Sequence, residues 1–223
     1  MKYICSIMTA RNLLLLILLL PLPLKAQSNP WAAWESDIIR SLNTGIDKEY
    51  LNEEEKKVIL FMNMARFDGP LFESTFLQSY LQEKQQENNT YTRSLRKDLK
   101  KISGLSPLIP EKDLTSVAQG HARKSGEKGT TGHQDFNKRF EALLGNPYNH
   151  VGENCSYGYE QAIDIVISLL IDEGVKSLGH RKNILADDFN SIGVAIRPHK
   201  SYRTNCVMTF GSRDRSSINE LPF

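Results

Sequence analysis

The chain reads as an α+β domain in which helices precede most of the strands. Two observations carry that reading. Apolar residues recur every three to four positions in successive stretches before residue 174, whereas strict alternation is found in 191–197 and 205–211 near the end. No run of alternating strands and helices marks a doubly wound parallel sheet. A length of 223 residues suits one domain plus a targeting segment, and a hydrophobic share of 40% permits a sizeable core.

Residues 1–26 have the order of a secretory signal peptide. Lys2 and Arg11 supply the positive start, 13–20 is unbroken Leu and Ile, and Pro21 and Pro23 stop the helix. The apolar run is far shorter than the roughly 20 residues that span a bilayer. A mature chain starting near Gln27 is expected, secreted or periplasmic and without a stable membrane anchor. An uncleaved anchor is the alternative, since Leu24 is a mediocre residue three before the cut. Cys5 precedes the apolar run, which is not the place of a lipid-attachment cysteine.

Residues 27–50 form a helical arm, with Trp31, Trp34, Ile38, Ile39 and Leu42 on one face and Gly45 as its end. The main domain, 51–223, opens with Asn52 as a helix cap and Glu55 completing a capping box. Val58, Phe61, Met62 and Ala65 are the apolar stripe of that helix, and Gly69-Pro70 ends it. Residues 67–103 read as an inserted helical excursion with a solvated tip.

A further helix starts after Pro110. It turns Leu114, Val117, Ala118, His121 and Ala122 inward and stops at Gly126 and Gly129. An extended segment, 151–157, precedes an amphipathic helix over 160–173 with Gly174 as its stop. A turn and short helix follow in 177–185. Two strands close the domain, joined through Pro198-His199-Lys200.

Removing Lys2, Arg11 and Lys25 with the leader from 28 basic residues leaves one fewer than the 26 acidic ones. Such a nearly neutral chain lacks the basic footprint of a nucleic-acid binder. Cys155 and Cys206 remain after cleavage. In an exported protein an isolated pair is readily a disulfide, expected here on neighbouring strands; the alternative is two small buried hydrophobes.

The mature chain has five histidines. Two stand in glycine contexts that read as sharp turns, Gly132-His133 and Gly179-His180. Glu153 begins an extended core segment, and Asp172 ends the helix facing the turn that holds His180. Two imidazoles and two carboxylates could bind a divalent metal, orient one another in a hydrogen-bonded network, or do acid–base chemistry; spacing leaves all three open. His121 reads as a packed helix-face residue, and His150 and His199 as solvated. Arg181 and Asn183 read as ties to loop carbonyls. Tyr148, Tyr157 and Tyr159 either rim the cleft or pack.

Five stretches occur in a fixed order: 105–121, Gly132-His133, Val151-Gly152-Glu153-Asn154, Ser177-Leu178-Gly179-His180-Arg181-Lys182-Asn183-Ile184-Leu185 and Ser191-Ile192-Gly193-Val194-Ala195-Ile196. In that order the chain resembles a bacterial member of the CAP superfamily (cysteine-rich secretory proteins, antigen 5, pathogenesis-related 1), also called the SCP domain. The resemblance covers about residues 51 to 211.

It implies a three-layer α-β-α sandwich with a central antiparallel sheet and a cleft tetrad of His133, Glu153, Asp172 and His180. Asp172 stands where the family has Glu, one methylene shorter, and Glu173 is the next candidate. A metal set of His133, His180 and Glu153, zinc being the usual ion, follows from that tetrad. The function implied is a binding module for a small apolar or peptidic ligand. A metal-dependent hydrolase and a cell-envelope interaction domain are the alternatives.

Overall fold

The computed structural model describes residues 29–86, 89–145 and 147–214. The expected leader lies outside them. Among the described residues no helix is long and apolar enough to cross a membrane.

The arm is a 3-10 turn, Pro30–Ala33, followed by α1, Ser36–Leu42. The capping box forms at the head of α2, Glu53–Phe67: the Asn52 side chain accepts from Glu55 N at 2.9 Å, and Glu55 Oε2 accepts from Asn52 N at 2.8 Å. The apolar stripe expected on α2 is wider than one face. Ile59, Leu60 and Met64 are buried as well, because the arm, the sheet and later helices enclose this helix.

Residues 69–83 make one helical run, α3 (Gly69–Phe72), a π turn (Glu73–Leu77) and α4 (Gln78–Glu83). α5 is Thr90–Leu99. Phe72, Phe76, Leu77, Leu95 and Leu99 from this region enter the main core. Then come β1 (Ile109–Pro110), α6 (Lys112–Lys128), α7 (Phe136–Phe140), β2 (His150–Tyr157), α8 (Ala162–Ile171), α9 (Gly179–Leu185), β3 (Ser191–His199) and β4 (Arg203–Ser212).

The sheet order is β1-β3-β4-β2. β3–β4 and β2–β4 are antiparallel, and the two-residue β1 adds a parallel edge. β2 is the other edge. Successive side chains of a strand point to opposite faces. Ile192, Val194, Cys206, Met208 and Phe210 therefore join α2 and α8 in the main core, while Ala195, Val207 and Cys155 meet Ala118 and Ala122 of α6. Helices thus cover both faces, and the architecture is the three-layer α-β-α sandwich.

That alternation corrects the disulfide. Cys155 and Cys206 do lie on paired strands, but Cys155 is opposite Val207 and Cys206 opposite Ser156. One register step sends their thiols to opposite faces, and both are free and buried. The connection between β3 and β4 also differs from expectation: Pro198 and His199 continue the strand, and the turn is 200–202. His199 is not solvated. It is buried, its ring Nδ1 accepting from Ser201 N and Tyr202 N and its Nε2 donating to Thr130 O.

Candidate functional site

Glu153 points from β2 toward the α6 side of the sheet, and its side chain is 1% exposed. A carboxylate so buried persists as an anion only with compensating donors. It has them. His133 Nδ1 lies 2.8 Å from Oε1, and Arg139 of α7 forks across both oxygens, Nη2 reaching Oε1 at 2.9 Å and Nη1 reaching Oε2. Burial opposes the charge, but the hydrogen bonds from His133 and Arg139 and the guanidinium charge outweigh it and hold the carboxyl below its usual range. Arg139 is itself set against Phe136 and Phe140 of its own short helix.

The loop that presents His133 is pinned at Gly132. This residue has φ +97°, a conformation glycine adopts without strain. Its N–H donates to Tyr157 Oη at 2.8 Å, and its carbonyl accepts from His121 Nε2 at 2.9 Å. His121 is buried on α6, with Nε2 3.8 Å from Glu153 Oε1. Burial above all lowers its pKa, although Glu153 pulls the other way, so the ring is neutral and Nε2 carries the proton that Gly132 accepts.

The second pair is built at the junction of α8 and α9. α8 ends at Asp172, not Gly174: Asp172 takes the left-handed conformation itself, φ +57°. Its Oδ1 lies 2.7 Å from His180 Nδ1, and its Oδ2 accepts from His180 N at 3.0 Å. The turn before His180 is made by Leu178, φ +53°, with Gly179 already helical. Glu173 is turned away, accepting from Asn89 Nδ2 at 2.9 Å.

Arg181 holds the junction. It donates to the carbonyls of Leu170, Ile171 and Tyr91 and to Asp98 Oδ2 at 3.0 Å. Asn154, on the opposite face of β2 from Glu153, donates to His180 O at 3.0 Å and accepts from Asn183 at 2.8 Å. Asn154 thus ties the His180 segment to the same edge strand that carries Glu153.

The metal set expected from His133, His180 and Glu153 does not gather within common ligating distance. Among the described residues, the donors that do are His121, Glu153 and Cys155. They do not suit a cation. Arg139 and His133 occupy the carboxylate, His121 Nε2 is a donor to Gly132 O, and burial, with Glu153's charge, pushes the Cys155 thiol far above its usual value. The Nε2 atoms of His133 and His180, whose side chains are 47% and 24% exposed, have no hydrogen-bond partner among the described residues.

The other predicted residues are placed as follows. His150 is exposed and paired with Asp188 at 2.8 Å. Tyr148 is buried and donates to Asp113. Tyr157 braces Gly132, and Tyr159 is exposed. Arg139 carries no sequence signal, because nothing in its spacing links it to Glu153. His121 is visible only as an inward helix position.

A family model described as CAP, "Cysteine-rich secretory protein family", matches residues 68–210. Two solved structures are similar. An outer surface protein from Borrelia burgdorferi is 24% identical, covering 56% of this chain and 90% of its own, with a TM-score of 0.42. Venom allergen-like protein 4 of Schistosoma mansoni is 13% identical, covering 74% of this chain and 91% of its own, with a TM-score of 0.47. No curated protein matches the chain. With more than half of its length matched and the sandwich in place, the chain belongs to the CAP family, the cysteine-rich secretory proteins.

Proposed function

We propose that this is an exported binding protein that takes a small apolar or peptidic ligand at the edge of β2, without turning it over. One observation carries the reading. His133 and His180 are each anchored through Nδ1 to a buried carboxylate, which leaves both Nε2 atoms without a partner among the described residues. An Nδ1–H bonded to a carboxylate fixes the tautomer and makes Nε2 a good acceptor or metal ligand. Peptide N–H groups fit that acceptor. A divalent cation such as zinc, brought in with the ligand, would coordinate an exposed imidazole Nε2 and polarise a bound carbonyl. Glu153 would stay out of its coordination because Arg139 holds it. Export rests on the leader, and N-terminal analysis showing a start near Gln27 tests that part.

Zinc titration of the protein purified without a histidine tag tests the imidazoles. One ion per chain is expected, with uptake lost in the His133→Ala/His180→Ala double variant while the fold persists by circular dichroism. Equal uptake by parent and double variant, or none by the parent, overturns this reading of the imidazoles.

A further inference from the structure

A cavity of about 190 Å³ lies where the arm crosses the helices, and none of the His–carboxylate residues lines it. Its walls are aromatic: Trp31 of the 3-10 turn, Phe61 of α2, Phe76 of the π turn and Tyr80 of α4. Trp31 meets Phe76 edge-on at 4.8 Å between centroids and Phe61 at 5.6 Å, yet it is still 37% exposed.

Asp164, in the first turn of α8, lines the same cavity and is only 8% exposed. Its Oδ1 is buried and accepts no aligned hydrogen bond. The cation facing it is Lys84, whose Nζ lies 2.9 Å from Oδ1 and 5.6 Å from the centre of the Tyr80 ring.

A carboxylate combined with an aromatic face is the set of groups that recognises an ammonium ion. Here the protein's own ammonium occupies it. Lys84 is exposed and sits on a flexible four-carbon stem, so it can swing into water. A buried carboxylate does not tolerate losing its cation, so another cation must take the place.

We infer that this cavity binds a small alkylammonium ligand, which displaces Lys84 from Asp164 and lays its apolar part against Trp31. The inference is independent of the imidazole site. Both tryptophans of the chain, Trp31 and Trp34, belong to the aromatic cluster, so intrinsic fluorescence reports on it directly.

The purified protein is titrated with choline and with its neutral carbon isostere, 3,3-dimethyl-1-butanol. Choline is expected to give a saturable fluorescence change that the isostere does not. Lys84→Ala, which removes the internal competitor, should bind choline about tenfold more tightly, and Asp164→Asn about tenfold more weakly. Equal responses to choline and the isostere, no response to choline, or unchanged affinity in Lys84→Ala overturn the inference. Circular dichroism checks the fold of each variant, and Lys84→Gln, which keeps a donor near Asp164 but not the charge, should also bind choline more tightly than the parent and decides the matter where Lys84→Ala or Asp164→Asn does not fold.

Discussion

At Glu153 an anion is kept where water cannot reach it, and the balance depends on Arg139. Removing one partner of a buried ion pair costs more than removing both, because the survivor is left charged and unsolvated. Arg139→Met should lower the unfolding free energy by about 3 kcal/mol, and the Arg139→Met/Glu153→Gln double variant should recover much of it. Urea unfolding of the three proteins measures both.

Acid acts on the same cluster. Glu153 titrates lower in the folded chain than its ordinary 4.5, so its contribution is present above that value and is lost as pH falls through the folded one. His121 is lowered from 6.5, mainly by burial, so below 6.5 the unfolded chain takes up a proton that the folded chain refuses. Stability should therefore begin to fall below pH 6.5 and fall further below 4.5. His121→Gln should remove the first decline and keep the second, as read from urea midpoints across the acid range.

The end of α8 shows how one element is terminated for a purpose other than its own stability. A left-handed residue with a β-carbon costs roughly 1–2 kcal/mol, and glycine is its usual occupant. Asp172 accepts that cost and places its carboxylate on the first turn of α9, bonding both the backbone and the ring of His180. Three substitutions separate the contributions. Asp172→Ala keeps the strain and loses the bonds, costing about 3 kcal/mol; Asp172→Gly should cost about 1 kcal/mol less, because it relieves the strain. Asp172→Asn, which tolerates the conformation and keeps an acceptor, should be the mildest. Thermal unfolding gives the order, and the reverse order for Ala and Gly would refute it.

For the whole molecule, what matters is how closely α6 lies on the sheet. Gly193 faces it, and a β-carbon there would sit 2.2 Å from Leu114 C and 2.3 Å from Thr115 N, both backbone atoms that cannot swing aside. Thr209 Oγ1 donates to Leu114 O at 2.9 Å across the same contact. Gly193→Ala should push the helix outward and destabilise the domain by about 3 kcal/mol. Since His121 rides on α6, its ring should move from Gly132 as well. Urea unfolding and the histidine ring signals in nuclear magnetic resonance would both register the shift, and an unchanged protein would contradict the packing argument. On the other side of the sheet Arg66 plays the matching role. It is buried and donates to the carbonyls of Ser106, Ile184, Ala186 and Phe189, so that α2 holds the loops flanking β1 and β3.

Features set by neighbours a few residues apart could be read directly from the sequence. The Asn52–Glu55 capping box, the Gly129 stop of α6 and the helices-then-strands order depend on local hydrogen bonds and periodicity, and they stand as written. The roles of Arg181 and Asn183 as ties were also legible, since buried groups rich in donors must find acceptors. Pairing beyond that range was not. Glycine contexts single out His133 and His180, and the helix end turns Asp172 toward His180, but the pairing of His133 with Glu153 follows only from the family pattern.

Tertiary structure alone decided the rest. Cys155 and Cys206 are separated by a single step of strand register, which periodicity within one strand cannot reveal. His121 and Arg139 reach Glu153 because α6 and α7 pack on the same face of β2. Gly174 lost the cap of α8 to Asp172 because a contact eight residues later, at His180, rewards the strained conformation. Local free energies along the chain specify which elements form. Which side chains meet depends on register and layer packing, and those are settled only when the whole core closes.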